Sequence, residues 1–356
     1  MKKIVSIVGA RPQFVKAAVV SEQLRRVGVE EVMIHTGQHY DANMSDAFFD
    51  ALGIPEPRYN LGIGGGAHGE MTGRQLIEIE RRLVEEKPQA VLVYGDTNST
   101  LAGALAAVKL HIPIAHVEAG LRSFNQRMPE EINRIVTDRI SAVLFTPSRL
   151  ASDNLRAEGV AERQIVEVGD VMYDAALRYG SAPAAAGDGR PFFLVTIHRA
   201  ENTDSPQRLR AIVDALIHLG REARVVFPVH PRTRQVLARS ELWDKLARSV
   251  ELVDPVGYVE MLALMRGARA VLTDSGGVQK EAYFVGTPCV TLRDETEWKE
   301  TLELGWNTLV THLTLDNIVS AAVGAKVPPP SDLRPYGDGH AADRIAEYLH
   351  GMLQSQ

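Results

Sequence analysis

Short apolar runs alternate with longer amphipathic stretches along this 356-residue chain. In the first half the apolar runs cover residues 4–8, 32–36, 90–94, 112–117 and 143–146. Alternation of short buried strands with helical patterns is typical of right-handed beta-alpha-beta units on a parallel sheet. The first half therefore predicts an α/β domain with helices packed on its sheet.

A second set of apolar runs repeats this architecture without repeating the sequence. These runs cover residues 192–196, 225–228, 250–253, 270–273 and 288–292. Between the two sets, residues 181–191 are rich in alanine, glycine and proline, as in a linker. The chain also exceeds the size at which one hydrophobic core usually stops growing. We therefore predict two doubly wound, Rossmann-like domains, residues 1–180 and 191–330, with the ligand in the cleft between them.

The composition favours an enzyme that acts on a small molecule. The net charge of -6 and the pI near 6.0 argue against a nucleic-acid or anionic-membrane partner. The single cysteine, Cys289, excludes an internal disulfide and a cysteine-clustered metal site, and it favours a reduced, cytoplasmic setting. Arg11 and Pro12 cut the first apolar run, which predicts a strand rather than a secretory signal. No apolar run approaches the roughly 18 residues of a membrane helix.

Acidic residues follow two of the predicted strands of the first domain. Asp96 and Glu118 each end an apolar run, and ligands of open parallel sheets bind beyond the carboxyl ends of the strands. We therefore expect these two side chains to face one crevice. Glu130 lies in the segment Pro129-Glu130-Glu131, four residues before Arg134, and both a catalytic role and an ordinary helical ion pair fit that spacing.

Two strand-to-helix turns carry the features of anion sites. Gly9-Ala10-Arg11-Pro12 precedes a predicted helix and brings Arg11 and Lys16, so the turn predicts free amide donors with positive charge beside them. Asp274-Ser275-Gly276-Gly277 repeats this pattern in the second domain, with Glu281 placed to accept bonds from ribose hydroxyls. The acid and glycines of this second turn indicate a nucleoside diphosphate ligand, whereas the first turn indicates an anion. A plain tight turn is the alternative at each place.

Two histidines follow strand ends of the second domain. Neither His198 nor His230 has a second histidine or cysteine at zinc-ligand spacing, so a metal site is not expected. We interpret His198 as a phosphate contact or proton carrier and His230 as a contact in the nucleotide pocket. Ordinary hydrogen bonding to the backbone is the alternative for both.

These motifs together resemble the non-hydrolysing UDP-N-acetylglucosamine 2-epimerase family over essentially the whole chain. The resemblance implies a GT-B type fold and a homodimer. It also implies that a C-terminal helix, which the amphipathic pattern from His340 to Leu353 predicts within residues 338–356, packs back on the first domain. The matching motifs are Gly9-Ala10-Arg11-Pro12, Thr36-Gly37-Gln38-His39, Gly95-Asp96-Thr97, His116-Val117-Glu118-Ala119-Gly120-Leu121-Arg122, Pro129-Glu130-Glu131, Asn133-Arg134, His198-Arg199 and Asp274-Ser275-Gly276-Gly277.

The resemblance implies a reaction as well as a fold. The family interconverts UDP-N-acetylglucosamine and UDP-N-acetylmannosamine without NAD or metal, for precursors of cell-surface polysaccharides. UDP is eliminated to leave 2-acetamidoglucal and is then added back. Carried over by motif, the catalytic residues are Asp96, Glu118, Glu130 and His198, and the substrate-binding residues are Arg11, Lys16, Arg134, His230, Ser275, Gly276, Gly277 and Glu281.

Some positions depart from the usual family pattern and leave the substrate open. Gln13-Phe14 follows Arg-Pro where many members carry glutamate, and Trp298 stands where arginine is commoner. The first departure is similar to relatives acting on UDP-2,3-diacetamido-2,3-dideoxy-glucuronate. The segments Asn43-Met44-Ser45-Asp46 and Gly64-Gly65-Gly66 are also similar to those relatives.

Alternatives from other classes are a GT-B glycosyltransferase and a non-catalytic nucleotide-sugar sensor. A regulatory site is a further possibility. Many bacterial members bind a second, activating UDP-N-acetylglucosamine, and Gln38, His39 and Arg74 match the residues implied for that site, whereas Tyr40, Asp41 and Asn43 differ from the common sequence there.

Overall fold

The computed structural model describes residues 2–38, 52–54, 56–180 and 191–354. The chain divides into two units by its internal contacts. Unit 1 comprises Met1–Ala175 with Arg334–Gln356, and unit 2 comprises Ala176–Leu333. The predicted linker falls almost wholly outside the described residues, as do His39 and the segment Asn43-Met44-Ser45-Asp46.

Unit 1 is built on a parallel sheet of seven described strands in the order β3-β2-β1-β4-β5-β6-β7. Apolar side chains from both faces of the central strands are buried, as expected where helices cover a parallel sheet on each side. The strands are β1 (Lys3–Val8), β2 (Glu30–His35), β3 (Tyr59–Asn60), β4 (Ala90–Tyr94), β5 (Ile114–Val117), β6 (Val143–Thr146) and β7 (Ile165–Glu167). The helices are α1 (Arg11–Arg26), α2 (His68–Glu86), α3 (Asn98–Lys109), α4 (Pro129–Ile140), α5 (Arg149–Ala157) and α6 (Val171–Tyr179), the last of which runs across the unit boundary.

Unit 2 is built on a parallel sheet of six described strands in the order β10-β9-β8-β11-β12-β13. Its strands are β8 (Phe192–Thr196), β9 (Arg224–Pro228), β10 (Glu251–Val253), β11 (Ala268–Thr273), β12 (Cys289–Thr291) and β13 (Asn307–Leu309). Its helices are α7 (Ala200–Thr203), α8 (Pro206–Glu222), α9 (Pro231–Ala238), α10 (Leu242–Ala247), α11 (Tyr258–Gly267), α12 (Gly276–Phe284), α13 (Lys299–Glu303) and α14 (Leu315–Gly324).

The C-terminal helix α15 (Ala341–Met352) belongs to unit 1 and contacts α1. Its first turn is capped by Asp174, whose carboxylate accepts hydrogen bonds from the amides of Ala341 (3.2 Å) and Ala342 (2.7 Å). Burial raises the pKa of Asp174 to about 6, although the two amide bonds oppose that rise.

Three short strands, β3, β7 and β13, were not predicted from the sequence. Each spans two or three residues and keeps at least one partly or fully exposed position, so none shows an apolar run. These segments are strands because they pair with a neighbouring strand, and such pairing leaves no local signal in the sequence. Within the described part of the chain, no helix is both long and apolar enough to cross a membrane.

Candidate active site

The strand order reverses at one point in each sheet, between β1 and β4 in unit 1 and between β8 and β11 in unit 2. Ligands of doubly wound sheets bind beyond the carboxyl ends of the strands at such switch points. The segments Gly9-Ala10 and Gly95-Asp96 follow the strands at the first switch point. His198 and Asp274-Ser275 follow those at the second. The predicted site motifs therefore lie where each sheet places ligand chemistry.

Glu118 follows β5 and forms an ion pair with Lys16 of α1. The side chains of Glu118 and Lys16 are only 11% and 9% exposed, so water screens the two charges little and their pairing stabilises both. The backbone of Glu118 has a φ of 70°, in the left-handed region that residues other than glycine rarely adopt. Such strain persists only where the surrounding structure imposes it, and it clusters at functional sites.

Asp96 follows β4 and forms an ion pair with Arg134 of α4. Arg134 also donates to Glu131 at 2.9 Å, while the side-chain amide of Asn133 donates to the backbone carbonyl of Asp96 at 2.9 Å. The Asp96 side chain is 31% exposed, so it remains open to a ligand while its cation is held in place. The two predicted acids are thus each set beside a fixed cation.

The turn at Gly95 connects these two ion pairs. A β-carbon on Gly95 would lie 3.3 Å from Oε2 of Glu118 and 3.4 Å from Nζ of Lys16, and Gly95 itself has a φ of 61°. Asp96 is the next residue. The structure therefore brings Lys16, Glu118, Asp96 and Arg134 together around one turn.

Glu130 and Glu131 have different surroundings although they are adjacent. The buried Glu131 carboxylate accepts hydrogen bonds from the amide of Ser123 (2.9 Å), its hydroxyl (3.0 Å) and the amide of Phe124 (2.9 Å). It therefore ties the loop after β5 to α4. Glu130 is exposed in the first turn of α4, and its catalytic role stays a prediction.

The turn at Gly9 differs from the prediction in one respect. We expected free amide donors, but the amides of Gly9 (2.8 Å) and Ala10 (2.9 Å) both donate to the side-chain oxygen of Gln13. The Gln13 nitrogen in turn donates to the carbonyl of Tyr94 at 2.7 Å, joining the start of α1 to the end of β4. Because a buried glutamine accepts from both amides, the expectation of free amides at Gly9 and Ala10 was wrong. The hypothesis of an anion site at this turn now rests on the positive charges of Arg11 and Lys16.

In unit 2, Asp274 organises the switch point. Its buried carboxylate accepts hydrogen bonds from the amides of His198 (3.1 Å) and Arg199 (3.0 Å) and from the side chain of Asn202 (3.0 Å). Nδ1 of His198 lies 3.3 Å from the same carboxylate, and the rings of His198 and His230 are 5.4 Å apart. Asp274 holds the loop that carries His198.

The pKa of His198 lies below its ordinary value, chiefly because burial disfavours the imidazolium. The carboxylate of Asp274 raises this pKa, whereas the charges of His230 and Arg199 lower it further. Burial likewise lowers the pKa of His230, again opposed by Asp274. A neutral His198 that directs its Nδ1 proton to Asp274 leaves Nε2 for a ligand.

Gly276 and Gly277 open helix α12 directly after β11. A β-carbon on either would meet only ordinary contacts, at 3.8 Å from Nε1 of Trp298 for Gly276 and 3.9 Å from Oε1 of Glu281 for Gly277. Neither residue is among the glycines with positive φ. Packing and backbone conformation therefore do not require glycine at either position, whereas close approach of a ligand to the helix N-terminus would.

Sequence reasoning missed two supporting residues of this turn. Trp298 donates from Nε1 to the carbonyl of Gly276 at 2.8 Å, and Nζ of Lys280 lies 3.9 Å from the centre of the Trp298 ring. In the sequence, Trp298 stands out only as a departure from the family pattern. Trp298 lies 14 residues beyond Phe284, the last residue of α12, so the sequence gives no local sign that the two segments meet.

Two of the three residues of the predicted regulatory site are described. The Gln38 side-chain oxygen accepts from the amide (3.0 Å) and hydroxyl (2.7 Å) of Ser99, at the start of α3. Arg74 lies on α2 with its side chain 56% exposed, 3.8 Å from Glu70. The regulatory role of Gln38, His39 and Arg74 stays a prediction. Within the described residues, no cluster of three or more histidine, cysteine or acidic side chains is arranged to hold a metal ion.

Comparison with known proteins gives matches over nearly the full chain. A relative from Pseudomonas aeruginosa, UDP-2,3-diacetamido-2,3-dideoxy-D-glucuronate 2-epimerase, is 56% identical and covers 98% of this chain and 99% of its own length. The UDP-N-acetylglucosamine 2-epimerase of Methanocaldococcus jannaschii is 43% identical, with 98% of each chain covered.

The crystal structure of the Methanocaldococcus jannaschii UDP-GlcNAc 2-epimerase in complex with UDP-GlcNAc and UDP superposes with a TM-score of 0.85 at 42% identity, covering 98% of this chain and 99% of that one. This likeness confirms the predicted α/β fold of GT-B type. The profile of the family described as UDP-N-acetylglucosamine 2-epimerase matches residues 22–350. Because that match spans most of the chain, this protein belongs to the UDP-N-acetylglucosamine 2-epimerase family.

Proposed function

We propose that the protein is a non-hydrolysing UDP-sugar 2-epimerase, an isomerase that interconverts UDP-N-acetylglucosamine and UDP-N-acetylmannosamine. The observation that carries this proposal is the pair of carboxylates, Asp96 and Glu118, held around the single turn at Gly95 with a cation beside each. Epimerisation at a carbon needs a proton removed from one face and a proton delivered to the other. Two acids around one turn meet that need.

The chemistry explains why the diphosphate must leave first. The hydrogen on C2 of the sugar is not acidic, because no carbonyl group is adjacent to C2. When the bond from C1 to the UDP oxygen breaks, positive charge develops on the ring, C2 becomes acidic, and loss of its proton forms the C1–C2 double bond of 2-acetamidoglucal. UDP then adds back to C1 while a proton reaches the opposite face of C2.

In unit 1, the proposed base and acid are Asp96 and Glu118, with Glu130 as a third carboxyl group. A carboxylate accepts the C2 proton during elimination, and a protonated carboxyl group on the opposite face supplies the new proton on re-addition. Lys16 and Arg134 compensate the carboxylates before the sugar arrives, and Arg134 also shapes the sugar site. We do not assign the two acids to particular faces of C2.

In unit 2, the proposed role is to bind and stabilise UDP. The segment Ser275-Gly276-Gly277 would receive the diphosphate at the N-terminus of α12, and Glu281 would accept bonds from the ribose hydroxyls. We assign His198 as a donor to the leaving diphosphate, together with Arg11, and His230 as a contact in the nucleotide pocket. Stabilising the leaving group must supply much of the acceleration, since one acid/base group typically supplies about 100- to 10,000-fold.

Deuterium exchange tests the reaction and its substrate. We expect the protein, incubated with UDP-N-acetylglucosamine in deuterated water without any acceptor, to incorporate deuterium at C2, as mass spectrometry or proton NMR would show. The relative of 56% identity favours a second candidate substrate, UDP-2,3-diacetamido-2,3-dideoxy-glucuronate, which has the same C2 chemistry and an added C6 carboxylate. Run in parallel on both sugars, the assay should show exchange with UDP-N-acetylglucosamine, and a higher kcat/KM with the uronate would make the uronate the preferred substrate.

A result without exchange on either sugar, while calorimetry confirms that both bind, would remove the epimerase proposal. That result would favour a glycosyltransferase, because transfer of the sugar needs an acceptor, which the assay lacks, and only one base. Faster exchange with the plain sugar would instead establish UDP-N-acetylglucosamine as the preferred substrate.

The pH dependence of UDP binding tests the role of His198. Since the pKa of free His198 is lowered, the residue must take up a proton to donate to a diphosphate at neutral pH. The free-energy cost of protonating His198 shrinks as the pH falls. The affinity for UDP should therefore rise until the pH reaches the pKa of free His198, and it should then stay constant. Titration calorimetry across this pH range should show the trend in the wild type and a weaker trend in His198→Gln.

UDP itself gains a proton on its terminal phosphate near pH 6, so the informative quantity is the difference between wild type and variant. His218→Gln is the matched control, because His218 lies on α8 with its side chain 41% exposed. Identical pH curves for wild type and His198→Gln would show that His198 does not donate to the diphosphate.

The setting of the enzyme is part of the same proposal. We place it in the cytoplasm as a homodimer that makes precursors of cell-surface polysaccharides. The family resemblance supports the dimer and the pathway. The single, buried cysteine and the net charge of -6 are compatible with a reduced compartment and a small-molecule substrate.

A further inference from the structure

His116 of β5 lies fully buried behind the turn that carries Asp96. Its Nε2 is 2.7 Å from the backbone carbonyl oxygen of Gly95, and its Nδ1 is 2.7 Å from Oδ1 of Asp138. A carbonyl oxygen can only accept a hydrogen bond, so Nε2 carries a proton. The state of Nδ1 depends on Asp138.

The other contacts of Asp138, on α4, indicate an ionised carboxylate. Its Oδ2 accepts from the guanidinium of Arg122 at 2.7 Å and from the amide of Gly120 at 3.1 Å. An ionised carboxylate can only accept a hydrogen bond, so Nδ1 carries a proton as well and both nitrogens of His116 donate.

The surrounding charges balance this imidazolium. Arg122 donates to both carboxylate oxygens of Glu158, at 2.6 and 2.7 Å, as well as to Asp138. The cluster of His116, Asp138, Arg122 and Glu158 therefore contains two cations and two carboxylates. Buried charges persist when they are paired and hydrogen-bonded, and this cluster needs no substrate to compensate it.

The backbone of the catalytic turn is held at three points. The amide of Gly95 donates to the carbonyl of Val117 at 3.0 Å, Asn133 donates to the carbonyl of Asp96, and His116 donates to the carbonyl of Gly95. Of these three donors, only His116 is charged, and charge-assisted hydrogen bonds are about twice as strong as neutral ones. His116 also lies two residues before Glu118, so one ring connects the backbones of both acids.

We propose that His116 is a positioning residue: its ring donates from both nitrogens, holds the Gly95 carbonyl and so fixes the spacing of Asp96 and Glu118. The inference rests on the proposed epimerase function. The charged groups around the clamp are Asp138 on one side and, beyond the α-carbon of Gly95, the Lys16–Glu118 pair. Small displacements of reacting groups are costly, with about 100-fold loss in rate for a shift near 1 Å.

The experiment compares wild type with His116→Gln, and with His340→Gln as a control on an exposed histidine of the same unit. We expect His116→Gln to lower kcat roughly 10- to 100-fold. KM and UDP affinity should change little, because the variant leaves every proposed ligand contact in place. Nitrogen-15 NMR of histidine-labelled protein should show one ring with both nitrogens protonated through neutral pH, and His116→Gln should lack that signal.

Asp138→Asn serves as a second variant in case His116→Gln does not fold. The loss of the carboxylate should turn His116 into a neutral ring that still donates to Gly95, so the imidazolium signal should vanish and kcat should fall several-fold. A neutral His116 in the wild type, or unchanged kcat in either folded variant, would overturn the inference. Absence of C2 exchange in the wild type would instead overturn the proposed function, while the NMR signal would still report the charge of His116.

Discussion

Asp96→Asn should lower C2 deuterium exchange by about 100- to 10,000-fold, the usual contribution of a general acid or base. The amide matches the carboxylate in shape but can neither take nor deliver the proton. UDP affinity should stay close to that of the wild type, because Asp96 is not among the residues to which we assign UDP binding. Exchange would be followed by mass spectrometry and UDP affinity by calorimetry.

Asp153→Asn is the matched control for Asp96→Asn. Asp153 is a surface acid of the same unit, paired with Arg156 and 52% exposed, and its loss should leave both measurements unchanged. If Asp96→Asn lost UDP binding as strongly as it lost exchange, Asp96 would be a binding residue and the acid/base role would be wrong. Retained exchange would contradict the role directly.

Glu118→Gln should lower C2 deuterium exchange about as much as Asp96→Asn does, and it should also destabilise the protein. Its partner Lys16 is only 9% exposed, so the variant leaves a buried ammonium without a compensating charge. Removing one partner of a buried ion pair lowers the free energy of unfolding by about 3 to 5 kcal/mol. We expect the lower end of this range, because the amide oxygen of the new glutamine can still accept a hydrogen bond from Lys16. Thermal unfolding and the exchange assay would measure the two effects separately.

The double variant Lys16→Met with Glu118→Gln separates stability from chemistry. It removes the uncompensated charge, so the free energy of unfolding should recover towards the wild-type value, while exchange should stay lost. Glu162→Gln, a change at an exposed ion pair, is the control for both effects. Recovery of exchange together with stability would show that Glu118 acts only through folding.

Much of the fold could be predicted because its signals are local. The apolar runs at residues 90–94, 143–146 and 192–196 match strands β4, β6 and β8 residue for residue. A buried parallel strand must be apolar on both faces, so its sequence shows a short continuous run whatever it pairs with. The short strands β3, β7 and β13 escaped prediction because only their partners define them.

The candidate site could be predicted at the level of position but not of contacts. Asp96 and Glu118 were recognised because each acid follows an apolar run, where helix or strand formation does not require an acid. Gln13 was noticed only as a departure from a family pattern, yet its side chain occupies the amides that were expected to be free. Which donor satisfies which acceptor depends on side chains that are far apart in the chain.

By itself, the sequence determined that this protein has two parallel-sheet units with acids and glycine turns at strand ends, because hydrophobic periodicity and turn chemistry are properties of neighbouring residues. Only the tertiary structure decided that Lys16 faces Glu118 across 102 positions, that Arg134 faces Asp96, and that His116 joins Gly95 to Asp138. Those pairings follow from the order of strands in the sheet. Burial then makes them important for stability, since a charge removed from water must be compensated by nearby groups of the protein.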